Sequence, residues 1–178
     1  MKYINSIFSR YTAVIFSLLF FVESSYSQQR IVRPTFGWKE RVSFSDFGVN
    51  IHAKLDTGAD SCSVNASDIK IKTNKNTGKK KVTFTLEDNT GKNHRLTLPV
   101  TRVAKIKRHF GHSQTRYVVS LGLCLGNKYM VTEVNLVDRS GFTVPMLIGR
   151  NFLAPNAVVD SANIYMSSPT CAKQEILQ

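Results

Sequence analysis

The chain has 178 residues and a formal net charge of +12, with a hydrophobic content of 42 %, enough for one packed domain and too much for a disordered chain. It has three cysteines with no Cys-x-x-Cys, and it lacks any His-Glu-x-x-His or Gly-x-x-x-x-Gly-Lys-Ser/Thr, so the common zinc and P-loop frameworks are excluded and no metal or cofactor is expected. The excess charge is regional: residues 70–116 hold 13 of the 24 lysines and arginines and only Glu87 and Asp88 of the 12 acidic residues, which favours an anionic partner, a solvated face being the plainer reading.

In chain order, the first residues read as a targeting segment. Lys2 and Arg10 precede an apolar run from Tyr11 to Val22, and Ser25-Tyr26-Ser27 places small residues where a signal peptidase inspects them. A helix over that run reaches only about 18 Å, short for a bilayer. We expect a secretory signal over residues 1–27, with an uncleaved anchor as the alternative, and an oxidising compartment, most simply a bacterial periplasm. Residues 28–36 would form an N-terminal extension, 37–167 one domain, and 168–178 a C-terminal tail. Cys62, Cys124 and Cys171 are odd in number, and a Cys62–Cys124 bridge is one of the pairings left open.

The remainder reads as strands and turns. Trp38 to Phe44 alternates, Asp46-Phe47-Gly48 turns, and Val49 to Leu55 alternates again, with Ile51, Ala53 and Leu55 against Asn50, His52 and Lys54. A polar link leads to a short strand from Asp68 to Lys72, then to a lysine-rich stretch, Asn74 to Lys81, expected as a mobile loop. Val82–Leu86 and Arg95–Val100 flank an Asp-Asn-Thr-Gly turn and form a hairpin. A second hairpin has arms Arg102–Arg108 and Thr115–Leu125. Strands follow at Lys128–Val137 and Phe142–Ile148, then one helical turn from Gly149 to Leu153 stopped by Pro155, then short strands at 158–160 and 164–166. Without a long helical period or a linker, this is one all-β, barrel-like domain.

Two motifs carry the chemistry. Asp56-Thr57-Gly58 follows the 49–55 strand, so that Asp56 sits at a strand end as an acid/base candidate, with Thr57 bracing the loop and Gly58 letting the backbone turn sharply. About ninety residues later comes Pro145-Met-Leu-Ile-Gly-Arg-Asn-Phe-Leu153. Together they resemble the retroviral-type aspartic proteases (retropepsins), whose half-sized chains carry one Asp-Thr-Gly-Ala and a later apolar-apolar-Gly-Arg-Asn. The stretches from Gly37, Ala53, Arg116 and Val137 narrow the resemblance, over roughly residues 37–166, to a bacterial retropepsin-like family that has been labelled as ATP-dependent zinc proteases.

The resemblance implies a closed all-β acid-protease barrel with a flap hairpin and one short helix, one half-site per chain. It implies aspartic-type peptide hydrolysis, and in some cytosolic members removal of glutamate tails from a ribosomal protein. Those members carry a basic residue after Asp-Thr-Gly-Ala, where this chain has Asp60. It further implies that Asp60 pairs with Arg150 to tie the active-site loop to the helix, and that the 102–125 hairpin is the flap. Ala59, Asp60, Arg108, Gly111 and Arg116 are the candidate substrate-binding residues, the two arginines suiting carboxylate-bearing substrates. Two carboxyls sharing a proton are needed, and the chain has one Asp-Thr-Gly and no Asp-Ser-Gly. The second carboxyl must therefore come from another copy of Asp56 in a homodimer. A non-catalytic dimeric module binding acidic peptides or an anionic envelope polymer is the alternative. Neither nucleic acid nor, after signal cleavage, a membrane is an expected partner.

Overall fold

The structure is a computed structural model and describes residues 32–106 and 113–172. The chain divides into two units, residues 1–32 and 33–178, and the description here is of the second. Eleven strands and one short helix make it up among the described residues: β1 (Thr35–Phe44), β2 (Val49–Leu55), β3 (Cys62–Asn65), β4 (Ser67–Thr73), β5 (Lys80–Glu87), β6 (Asn93–Pro99), β7 (Arg102–Ile106), β8 (Gln114–Leu125), β9 (Lys128–Val137), β10 (Met146–Ile148), α1 (Arg150–Asn156) and β11 (Val158–Ile164). A 3-10 turn, Ser45–Phe47, separates β1 from β2 and ends at Gly48 with φ +65°.

Eight strands form one mixed sheet in the order β11-β1-β2-β10-β3-β9-β8-β7. It curls until β8 meets β1, Val42 opposite Leu125 and Ser43 opposite Cys124, so six strands close a ring, with β11 and β7 hanging outside it. Closure removes two edges that would otherwise present unpaired backbone groups. Alternation decides which side chains fill the ring: Ile51, Ala53 and Leu55 are buried on β2, and Leu121, Leu123 and Leu125 on β8. The second sheet, β4-β5-β6, lays Val82, Phe84 and Leu86 into the same core.

The structure differs from the expected elements in five places. The two short strands expected at 158–160 and 164–166 are one continuous strand, Val158–Ile164. β3 is an unforeseen strand, because Cys-Ser-Val-Asn has no period when Cys62, Ser63 and Val64 are all buried. The strand expected over 142–148 is reduced to 146–148. Phe142 instead closes a turn on Arg139, and Pro145 has no N–H to give a ladder. Pro155 does not stop the helix but lies in its last turn, where so short a helix loses only one bond to the missing N–H. The 74–79 stretch is a hydrogen-bonded turn: Asn74 receives the Gly78 N–H on its carbonyl and the Asn76 and Thr77 N–H groups on Oδ1.

Two clamps hold the C-terminal segment. Cys124 and Cys171 form a disulfide, which decides the open pairing and leaves Cys62 free and buried. Glu40 is fully buried, and its carboxylate accepts the Gly37, Met166 and Ser167 N–H groups at 2.8, 2.8 and 3.1 Å. A buried carboxylate is tolerable only when so surrounded by donors.

Candidate active site

Asp56 leaves the end of β2, half-buried, with its N–H donated to the Ile148 carbonyl at 2.9 Å. That bond continues the parallel pairing of β2 with β10, so the apolar Met-Leu-Ile run sets where the carboxyl group stands. The Gly58 N–H donates to Asp56 Oδ1 at 3.0 Å, and the Ala59 N–H to the Asp56 carbonyl at 3.2 Å. Gly58 does not have a positive φ. Its value is room, since a Cβ there would lie 3.3 Å from Asp56 Oδ1. The Thr57 carbonyl accepts Arg150 Nη1 at 2.9 Å, which ties the loop to α1.

Asp60 and Arg150 are brought together as an ion pair. Both are solvent-exposed, the Asp60 side chain at 87 %, so water screens the pair and it ties the loop only weakly. The stronger tie is main-chain: the Arg150 and Asn151 N–H groups donate to the Ala59 and Asp60 carbonyls at 2.8 and 3.1 Å. Gly149 makes that approach feasible, because a Cβ there would come within 2.7 Å of the Ser61 backbone.

Asn151 is a residue whose role sequence reasoning missed. Its Oδ1 accepts the Cys62 N–H and thiol, both at 3.1 Å, and its Nδ2 donates to Thr132 Oγ1 and the Glu133 carbonyl, both at 2.9 Å. One side chain thereby staples α1 to β3 and β9, next to the Asp56 loop. Burial pushes the Cys62 thiol up to about 11, against the opposing hydrogen bonds from Gly149 and Asn151, so the thiol stays protonated.

Arg139 is a second residue that the sequence did not single out. Its N–H donates to Asn65 Oδ1 at 2.7 Å, its Nη1 reaches Ser63 Oγ at 3.3 Å, and its guanidinium lies 4.4 Å from the Phe142 ring centroid. Nε is buried without a hydrogen-bond partner. Burial, and next the charge of Arg116, lower the Arg139 pKa, while the charge of Asp56 raises it. Arg139 therefore stands close enough to both to feel them. Arg116 Nε and Nη2 donate to Gln114 Oε1 at 3.1 and 2.9 Å. A Phe142-like cue, an aromatic three residues after an arginine in a turn, was the available signal.

Among the remaining candidates, Ala59 acts through its carbonyl, and Arg108 and Gly111 lie outside the described residues. A groove of about 510 Å³ runs beside the Asp56 loop, bounded by Arg33, Thr57, Arg150, Leu153, Val158 and Val159. A half-buried carboxyl held at a strand end, with the charge of a guanidinium acting on it, can exchange a proton with water.

Comparison with known proteins agrees with this geometry. The model of a family described as RimB-like, retropepsin-like aspartic endopeptidase RimB, matches residues 35–170. A probable alpha-L-glutamate ligase of Desulfotalea psychrophila is 30 % identical over 138 residues, which is 75 % of this chain but only 29 % of that protein. The chain thus spans under a third of that relative's length. A crystal structure of a Legionella pneumophila protein of unknown function matches with a TM-score of 0.64 at 31 % identity, covering 76 % of this chain and 98 % of the other.

Proposed function

The chain belongs to the RimB-like family of retropepsin-like aspartic endopeptidases, and from that premise we propose that it is an aspartic-type endopeptidase active as a homodimer, in which two copies of Asp56 hold the attacking water. The observation that carries the reading is the support of Asp56: its backbone is fixed to Ile148 and its Oδ1 receives the Gly58 N–H. A carboxylate so held needs no rearrangement to act as a base. Two carboxyls about 3 Å apart share one proton, so one takes the proton of the water while the other donates to the scissile carbonyl. No covalent acyl-enzyme forms on this route.

Acidic peptides are the proposed substrates, supported by the guanidinium of Arg139, which stands near enough to Asp56 for the two charges to act on each other. A periplasmic location is supported by the apolar run before Glu23 and by the Cys124–Cys171 disulfide.

The test compares residues 28–178 with the Asp56→Asn variant on a peptide library rich in Glu and Asp, between pH 4 and pH 8. We expect cleavage to fall at least about 1,000-fold in the variant. Below the dimer dissociation constant, the rate should rise with the square of protein concentration. Cleavage that survives Asp56→Asn would overturn the reading.

A further inference from the structure

We propose that the outer face of the β4–β6 sheet is a docking surface for an anionic phospholipid membrane, with the lysines around the β4–β5 turn as its contact. The starting point is a broken local rule. Residues 70–81 carry six lysines and no acidic residue, and the strand register sets Lys72 directly opposite Lys81. Like charges facing each other across a ladder oppose pairing, and local choices that work against the fold concentrate where a protein has a function to serve.

Among the described residues, none of these lysines has an ion-pair partner. The ion pairs among the described residues are His94–Asp88, Arg102–Glu133 and Arg150–Asp60, and all six lysines are solvent-exposed. Lys72, Lys79 and Lys81 instead surround a recess of about 440 Å³ that also takes in Asn74 and Thr77, large enough for a lipid phosphate group. The Asn74 hydrogen bonds hold the turn in shape, so the charges are presented together.

The chemistry of the face selects the partner. β5 and β6 turn Thr83 and Thr97 outward, hydrogen-bonded to each other at 2.8 Å, while their apolar residues face the core. Those strands offer no outward aromatic ring for base stacking and no large apolar group for insertion, which disfavours single-stranded nucleic acid and a protein hot spot. The charges at the recess are lysines, not arginines. They are compact point charges without the planar fork that reads single carboxylates. A dispersed, fluid array of phosphates is the partner that needs no such fork, and juxtamembrane lysines gain from it additively. This inference does not rest on the peptidase reading.

The experiment is co-sedimentation of the full chain with phosphatidylcholine vesicles, and with vesicles about one-third phosphatidylglycerol. The apolar run at 11–22 gives every variant the same baseline on neutral vesicles, so the gain on anionic vesicles is the readout. We expect that gain to be at least about tenfold, to collapse in high salt, and to vanish in a Lys72→Gln/Lys79→Gln/Lys81→Gln variant. The thermal midpoint of that variant should be unchanged or raised, because the substitutions relieve repulsion. An equal gain in the variant, or no gain on anionic vesicles, would overturn the proposal. So would binding of inorganic polyphosphate through the same lysines without any vesicle gain, which would assign the face to a soluble polyanion.

Discussion

Small side chains and single amides, more than charges, hold the Asp56 loop. Gly149 is extended rather than left-handed, so its requirement is spatial, and Gly149→Ala would drive a methyl group into the Ser61 backbone. We expect that substitution to cost about 2–4 kcal/mol in denaturant unfolding and to abolish peptidase activity, since the backbone must shift to clear it. Asn151→Ala removes four hydrogen bonds between buried or half-buried partners and should cost about 2–4 kcal/mol by the same measurement. Asp60→Asn should cost less than about 1 kcal/mol, because the pair it breaks is exposed. A loss above about 2 kcal/mol in that variant would mean that the ion pair is shielded from water in the working protein. The Cys62 thiol, pushed up to about 11 by burial, should react with alkylating agents at pH 8 only as fast as the protein opens.

At the level of elements, the hairpins show how turn chemistry couples to pH. Asp88, between β5 and β6, is held well below the ordinary carboxylate range. The Thr90 hydroxyl contributes most, then His94; desolvation opposes them, and the Thr90 and Lys92 N–H groups add to the lowering. A lowered carboxylate pKa means that the unfolded chain binds the proton more readily. The stability Asp88 contributes is therefore present above about pH 4 and lost as pH falls through its lower, folded value. Urea midpoints of the protein and of Asp88→Asn should differ at pH 6 and converge toward pH 2. A gap that stays constant across that range would show that the turn does not depend on the charge. This hairpin was legible in the sequence because its turn residues and its period agree. β3 was not legible, because neighbours on both faces bury it and no alternation survives.

On the scale of the molecule, ring closure and the C-terminal clamps act together. The disulfide joins residues 47 apart in sequence, and Glu40 reaches residues 166 and 167 from the opposite end of the domain. Reducing the disulfide should lower stability by about 2–4 kcal/mol. Glu40→Gln should cost about 1–3 kcal/mol, because an amide keeps one acceptor and turns a donor toward N–H groups that need an acceptor. Both are measurable by thermal unfolding, with and without reductant. If the two clamps restrain the same segment, the double perturbation should cost less than the sum of the single ones.

Period and punctuation along the chain were enough to determine the all-β class, the boundaries of β2 and β9, and the strand-end position of Asp56, because each depends on residues adjacent in sequence. The pairing of Asp60 with Arg150 was implied by the family resemblance, though not its exposure. The tertiary structure alone decided the rest: the Cys124–Cys171 bridge, the Asn151 staple, the Glu40 clamp, and the approach of Arg139 to Asp56. Most of those contacts join residues 18 to 127 positions apart, and one chain's local pattern carries no information about such distances until the ring has closed.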